Sequence, residues 1–261
     1  MTVFEAIFTS LVEGLTEFMP LSSAAHFLFL EQQLAWPAQG QEMMVGMHIG
    51  TLLAVLICFR RDILSLALAW LRPESVGNAP FLRRLGMATV LGSVPVLVVG
   101  YLAFGAIATA LSDARVIVGS TLLFGWMLLI ADRAVRPVFE LNQLRIHSGI
   151  LIGVAQVLAF IPGASRTGVT IMMGRMLGFS SDAAARFSYL LSVPVIGAAA
   201  GLGLYRLLVT GQGLDWQNFG LTVAVTTVAA WVGIRGFLAM LQWIGLLPFI
   251  LYRLLLGVVL L

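Results

Sequence analysis

The sequence contains few charged residues and only one cysteine. Of its 261 residues, 10% are charged, whereas a soluble domain carries about 25%. All fifteen basic residues are arginines, and they form no run long enough to predict a nucleic-acid partner. The single cysteine, Cys58, excludes an intramolecular disulfide. No basic segment precedes the first apolar stretch, so a cleaved signal peptide is not expected.

Hydrophobic residues make up 60% of the chain, and the mean hydropathy is +1.00. Apolar stretches recur at the length of a bilayer-spanning helix, which needs about 20 residues. We therefore predict an all-α polytopic membrane protein, with a single membrane domain over residues 1–261 because no polar linker divides it. Six uninterrupted stretches predict six transmembrane helices: 43–59, 85–108, 116–131, 183–205, 219–234 and 245–261.

Two further apolar stretches are interrupted. Residues 3–30 are broken at Phe18-Met19-Pro20, and residues 147–179 are broken at 160–163. Each arm is too short to cross a bilayer, and irregular backbone at membrane depth must line a cavity because lipid cannot satisfy it. We therefore predict two re-entrant helix pairs. The breaks share the pattern Phe-x-Pro-x-x-Ser, which aligns Ser23 with Ser165 without a gap.

The arginines predict the orientation of these elements. Eight of them lie in segments 60–84 and 132–146, which the positive-inside rule places in the cytoplasm. The first re-entrant pair then enters from outside and the second from the cytoplasm. This predicts an inverted-topology repeat, with halves of about 1–131 and about 147–261, whose broken helices meet near the midplane.

Five ionisable residues lie in or beside the breaks, namely Glu13, Glu17, His26, Arg166 and Arg175. Each costs at least ~2.5–3.5 kcal/mol at the centre of a membrane helix. That cost is best explained if these side chains meet one another and a charged ligand.

Glu13 and Glu17 are four residues apart and share one helix face. Like charges in that position need a shared proton, a cation or a nearby arginine. Because hard divalent cations bind carboxylate oxygens, the pair predicts a Mg²⁺ or Ca²⁺ site, or one metal ligand plus one acid. The alternatives are a proton-carrying pair in a transporter and a structural pair bonded to Arg166.

Ser22, Ser23 and His26 follow the first break. On a helix that starts near Ser22, Ser23 and His26 face the same way, which suits a hydroxyl nucleophile beside a base. Ser22 is a candidate phosphate-binding residue, and it has the position of an N-cap as well. A lone Ser-x-x-His pattern is also compatible with a purely structural role.

The second break contains the sequence PGASRTG. Gly163 and Gly168 allow close backbone approach, and a helix that starts near Thr167 directs free N–H groups into the break. Arg166 can bind phosphate oxygens bidentately. Together with Ser165, these residues predict a phosphate-binding site. The alternative is that Gly163 only breaks the helix and Arg166 reaches toward the membrane surface.

The segments EGLTEFMPLSSAAH, PGASRTG and FSYLLSVP, in this order, resemble the undecaprenyl-diphosphate phosphatase family, also known for bacitracin resistance. The resemblance covers nearly the full chain. It implies hydrolysis of undecaprenyl diphosphate to the monophosphate carrier used in cell-wall synthesis. Catalytic positions of the family fall on Glu13, Glu17, Ser23, His26 and Arg166. The resemblance further implies a divalent cation (Mg²⁺ or Ca²⁺), homodimers, and a site open to the outer face of the bacterial cytoplasmic (inner) membrane.

One departure from the family pattern lies beside the proposed nucleophile. The family usually has Ser or Thr followed by Gly before the histidine, whereas this chain has Ala24 and Ala25. Activity is still expected, because Ser23 and His26 are retained. Either Ser23 attacks phosphorus with His26 as its base, or His26 itself attacks. The competing interpretations are a transporter of a phosphorylated polyprenyl lipid and a structural membrane subunit.

Overall fold

The computed structural model describes residues 2–111, 113–210 and 215–261, apart from the side chains of residues 104 and 106–110. Within these ranges the chain is built from α-helices, as the sequence predicts. The helices are α1 (Val3–Glu17), α2 (Ser23–Leu34), α3 (Gln41–Cys58), α4 (Arg60–Leu71), α5 (Ala79–Ala110), α6 (Ala114–Ala134), α7 (Ile146–Gln156), α8 (Arg166–Met176), α9 (Ser181–Thr210), α10 (Trp216–Ile244) and α11 (Leu247–Val259).

Among the described residues, five helices are long and apolar enough to cross a membrane, namely α3, α5, α6, α9 and α10. They make the chain an all-α, multi-pass membrane protein. The last two predicted spans differ from the structure, because α10 continues past residue 234 to Ile244 and α11 has only 13 residues. The sixth predicted span therefore falls short of the length needed to cross a membrane unaided.

The two interrupted stretches form helix–break–helix units, as predicted. α1 ends at Glu17 and α2 begins at Ser23. α7 continues into a 3₁₀ turn, Val157–Phe160, and α8 begins at Arg166. In each unit the two arms pack against each other, so both breaks lie inside the helical bundle.

The segment 60–84, predicted as a cytoplasmic loop, is largely helical. It contains α4, and α5 already begins at Ala79. Four of the five arginines that mark the segment as polar lie at the start of α4 and on α5, and Arg72 directly follows α4. α4 exposes the apolar side chains of Trp70 and Leu71. A short amphipathic helix and a longer α5 therefore replace the predicted loop.

Small residues bring the helices that carry the breaks close to their neighbours. A Cβ atom on Gly14 of α1 would lie 2.5 Å from Ala229 Cβ of α10, and a Cβ on Gly153 of α7 would overlap the backbone of Gly92 in α5. Close approach at small residues is the usual way that helices associate in a bilayer. Each broken segment is thus fixed against a long helix.

Candidate active site

Phe18 fixes the end of α1. Its side chain is fully buried, and its ring meets the ring of Tyr189 edge to face, with 5.3 Å between the centroids. The Tyr189 hydroxyl donates a hydrogen bond of 2.7 Å to the Phe18 carbonyl. This contact satisfies a carbonyl at the end of the helix, which would otherwise be unpaired, and holds Glu17 at the edge of the break.

Glu17 and Arg166 form an ion pair that joins the two breaks. Arg166 Nε and Nη2 donate to the same oxygen, Glu17 Oε1, at 3.2 and 3.1 Å. The guanidinium carbon also lies 5.5 Å from the centre of the Phe18 ring, a cation–π distance. Thr167 Oγ1 donates to the Glu17 carbonyl at 2.8 Å. The two sequence motifs therefore meet in one site.

Ser23 lies on the acidic side of this site. Its hydroxyl accepts a hydrogen bond of 2.9 Å from Thr16 Oγ1 and is a near neighbour of the Glu13 carboxylate. Glu13 is 6% exposed, and its charged neighbours are Glu17 and Arg166. Among the described residues, Glu13 Oε2 has no hydrogen-bond partner. Such an atom inside a protein needs a water, an ion or a ligand to satisfy it.

The structure directs His26 away from Ser23. His26 Nδ1 donates to the Ser22 carbonyl at 2.9 Å, which leaves Nε2 of a neutral ring to accept from the Tyr252 hydroxyl, also at 2.9 Å. The rings of His26 and Tyr252 stack, with 5.6 Å between their centroids. The predicted contact between the Ser23 hydroxyl and the imidazole is therefore not formed here.

Ser22 and Ser165 are equivalent helix caps. Both have positive φ, 71° and 65°, and their hydroxyls accept from the N–H groups of Ala25 at 3.3 Å and Gly168 at 3.2 Å. The counterpart of Ser165 is thus Ser22, one residue away from the Ser23 that the gap-free alignment predicts. A phosphate contact by either hydroxyl stays a prediction, because each hydroxyl already serves as a cap.

The glycines of the second motif have a packing role. Gly163 has a φ of +93°, and a Cβ there would overlap Ser120 and Ile117 of α6. A Cβ on Gly168 would lie 2.6 Å from Arg253 Nη1. The absence of side chains at Gly163 and Gly168 is therefore explained by close protein contacts, and their predicted contact with phosphate remains untested.

Arg253 of α11 is a site residue that the sequence interpretation missed. Its side chain is fully buried. It donates to Thr121 O at 3.0 Å, Gly163 O at 2.7 Å, Ala164 O at 2.8 Å and, more distantly, Pro20 O at 3.4 Å. It thus ties both breaks to α6. A lone arginine in the middle of an apolar segment was the signal, since such residues mark functional sites in membrane proteins.

The residues behind Arg166 and at the far end of α8 differ in role. The carbonyl oxygen of Ser188 lies 3.5 Å from Arg166 Nη1, and the Ser188 hydroxyl lies 2.7 Å from Thr170 Oγ1.

Arg175 instead pairs with Asp132 at 3.1 Å, at the end of α6. The expectation that Arg175 joins the break cluster is wrong, because it lies in the last turn of α8 and donates to backbone carbonyls there.

The donor set at the breaks is compatible with a hard divalent cation that is shared with a substrate. Within the described ranges, no group of three or more His, Cys, Asp or Glu side chains is placed to hold a metal ion. Glu13 and Glu17 supply two carboxylates, and one Glu13 oxygen is unpaired. Mg²⁺ is commonly held by one or two carboxylates, with waters and substrate phosphates completing its shell.

The fold and the site define a class of protein: a multi-pass membrane protein in which two acidic residues, a hydroxyl and an arginine meet between two broken helices. The chain belongs to the family described as bacitracin resistance protein BacA, whose model matches residues 6–259.

Curated relatives resemble the chain over almost its whole length. The undecaprenyl-diphosphatase of Chromohalobacter salexigens is 42% identical over 252 residues, which cover 97% of this chain and 95% of the relative. The undecaprenyl-diphosphatase of Alteromonas mediterranea is 41% identical, with 100% and 98% covered. That of Hahella chejuensis is 40% identical, with 98% and 96% covered.

Proposed function

We propose that this protein hydrolyses undecaprenyl diphosphate to undecaprenyl phosphate and inorganic phosphate, and so recycles the lipid carrier of cell-wall synthesis and confers bacitracin resistance. The observation that carries this proposal is the meeting of Arg166 with the acidic residues and hydroxyl of the first break. The relatives are named as enzymes of this activity. Transport of the lipid without hydrolysis is therefore not favoured.

Arg166 binds the diphosphate in this proposal. Its guanidinium is held by Glu17 and Phe18, so its orientation is set before the substrate arrives. Helices α2 and α8 both begin at the breaks, and helix N-termini favour anions. A preorganised cation and two helix N-termini stabilise the negative charge that shifts during phosphoryl transfer.

Ser23 is the nucleophile, and Glu13 is its base. Ser23 Oγ attacks the terminal phosphorus, the bond from that phosphorus to the bridging oxygen breaks, and undecaprenyl phosphate leaves. The serine proton passes to Glu13, the acidic neighbour of the hydroxyl. A water then attacks the phosphoserine, the bond from phosphorus to the serine oxygen breaks, and the Glu13 proton returns to that oxygen. One proton of the water stays on its own oxygen, now bound to phosphorus, and the other passes to a second phosphate oxygen. Inorganic phosphate is released.

Glu13 and Glu17 are the residues that would hold a divalent cation, Mg²⁺ or Ca²⁺. When bound, such a cation would neutralise charge on the diphosphate oxygens. The unpaired Glu13 oxygen supports this assignment. Glu17 Oε1 is already paired with Arg166, so Glu17 would bind the cation through Oε2.

We also propose that the single membrane domain is an inverted-topology repeat with six spans and two re-entrant pairs, in which α11, although shorter than a usual transmembrane helix, takes the place of the sixth span. Exchanged packing supports this proposal. α1 of the first half packs against α10 of the second, and α7 of the second half packs against α5 of the first. The two serine caps with positive φ are a further correspondence.

The proposed location is the bacterial cytoplasmic (inner) membrane, with the site open toward the outer face and with homodimers formed in the membrane. Orientation is tested with single cysteines at exposed positions in a chain that lacks Cys58. Ala38→Cys should react with a membrane-impermeant thiol reagent in intact cells, whereas Gly77→Cys should not. The reverse pattern would invert the proposed orientation.

The decisive experiment is phosphate release from undecaprenyl diphosphate by purified protein, with and without a chelator. Arg166→Ala should lower kcat/KM by at least about 10²-fold, as expected for loss of a group that stabilises the transition state. Arg186→Ala is the matched control, because Arg186 is half-exposed and pairs with Asp182 on its own helix. Absence of phosphate release by the wild-type protein would refute the proposed activity.

The nucleophile is tested by rapid quench of the reaction with labelled substrate. A label that is stable in acid and maps to Ser23 is the expected result, because phosphoserine survives acid. An acid-labile label on His26 would assign the attack to the imidazole instead.

A further inference from the structure

An apolar groove of about 420 Å³ runs between α1, α2 and α11. We refer to it as the α1–α2–α11 groove. Its lining is Phe8 and Val12 of α1, His26, Phe29 and Leu30 of α2, and Tyr252, Leu255, Leu256 and Val259 of α11. Its size falls within the range of ordinary ligand sites.

The polar atoms of the groove are gathered at one end. His26 and Tyr252 are bonded to each other there, and the side chains that follow along α2 and α11 are hydrocarbon. From Tyr252 to Val259 the groove extends about 10 Å at the helical rise of 1.5 Å per residue. Leu255 and Val259 are 62% and 53% exposed, so the far end opens toward lipid.

Both walls of this polar end are bonded to residues that adjoin the active site. On α1, the carbonyl of Val12 accepts from Thr16 Oγ1 at 2.7 Å, and the Thr16 hydroxyl contacts Ser23. On α2, the ring of His26 is bonded to the carbonyl of Ser22, the residue before Ser23. A molecule whose charged end reaches Ser23 can therefore place the atoms that follow in the groove.

We propose that the α1–α2–α11 groove holds the first prenyl units of the lipid substrate, with the diphosphate beyond the His26–Tyr252 pair. This inference rests on the proposed function. A membrane phospholipid fits the groove less well, because its phosphate lies at the bilayer surface while the polar end of the groove adjoins a buried site.

The groove acts through shape rather than through the hydrophobic effect. The bilayer interior is already apolar, so transfer of the tail from lipid to protein removes no water. What the groove supplies is a shape that holds the first prenyl units, so that the diphosphate is bound beside Ser23. Tail contacts that are equal in the ground state and the transition state change KM and leave kcat unchanged.

Leu255→Trp tests the proposal, because indole at this position narrows the groove about 4.5 Å beyond Tyr252. KM for undecaprenyl diphosphate should rise by about 5- to 10-fold with kcat retained, whereas KM for a diphosphate with one prenyl unit should not change. Leu251→Trp is the matched control, since Leu251 is 53% exposed on the same helix but does not line the groove. Equal effects of the two variants would overturn the proposal.

A second measurement does not depend on turnover. A non-hydrolysable prenyl phosphonate with a photoreactive group on its second unit should label the peptides that contain Val12, Phe29 or Leu255. Excess undecaprenyl diphosphate should abolish this labelling. Labelling confined to α5 and α6 would overturn the proposal. Labelling in the groove by a protein that releases no phosphate would instead overturn the proposed hydrolysis and leave the groove assignment standing.

Discussion

Replacement of Arg253 with methionine removes the guanidinium that joins both breaks to α6. The carbonyls of Thr121, Gly163 and Ala164 lie 3.0, 2.7 and 2.8 Å from its nitrogens. Methionine offers comparable bulk but no donor, and each buried carbonyl left unpaired costs about 1–3 kcal/mol. Part of this cost is offset because the variant no longer buries a charge. We expect a net loss of about 3–5 kcal/mol.

The loss is measured by thermal unfolding of the purified protein in detergent at a fixed scan rate, since irreversible unfolding makes the midpoint depend on that rate. For a chain of this size the midpoint falls by about 2–4 °C per kcal/mol. Arg253→Met should therefore lower it by at least about 6 °C. In the protein that remains folded, kcat should fall by about 10²-fold, because small displacements of positioned groups have effects of that size.

Arg235→Met is the matched control for this change. Arg235 is exposed on α10 and stacks on Trp231, with 4.8 Å from the guanidinium carbon to the ring centre. Loss of an exposed contact of this kind changes stability by about 0.5 kcal/mol, so its midpoint should stay within about 2 °C of wild type. If Arg253→Met behaved like Arg235→Met in both midpoint and kcat, Arg253 would not hold the breaks together.

Three further predictions concern the breaks. Ser23→Ala should abolish phosphate release, whereas Ser22→Ala should lose about 1 kcal/mol of stability, as a missing helix cap does, and retain measurable turnover; equal turnover in the two variants would argue against Ser23 as nucleophile. Gly163→Ala should cost at least about 2 kcal/mol in thermal unfolding, because the new methyl group meets α6 and the backbone keeps a positive φ; an unchanged midpoint would contradict this packing. His26→Asn should keep kcat within about tenfold of wild type, because the ring is bonded to Ser22 and Tyr252 rather than to Ser23. A fall in kcat of about 10²–10⁴-fold would instead indicate that His26 is the general base.

The sequence predicts the interrupted helices well because their causes are local. Pro20 and the Pro162-Gly163 pair each follow the end of a helical arm and disfavour its continuation, and hydropathy identifies the long spans. The end of α10 is predicted less well. The predicted span stops at Ile234, before Arg235, whereas the helix includes this exposed arginine and continues to Ile244. Hydropathy alone cannot place a boundary between two apolar helices.

The contacts of individual side chains are harder to predict from the sequence than the helices are. Glu17 and Arg166 are each costly in a membrane, so their meeting can be predicted from charge alone. The orientation of His26 cannot, because the hydroxyl that attracts it belongs to Tyr252, 226 residues further along the chain. The role of Arg253 is missed for a related reason. Its partners are backbone carbonyls, and because every residue has one, the sequence does not show which of them the arginine contacts.

Because Arg253 lies on α11, the contacts that hold the two breaks together form only late in biosynthesis. Glu13 and Glu17 leave the ribosome first, Arg166 follows near the middle of the chain, and α11 is the last helix described. Until α11 is inserted, the carbonyls of Gly163 and Ala164 lack their donor. A chain halted before this helix would therefore carry every acid and hydroxyl of the site without the bond that holds the two breaks in place.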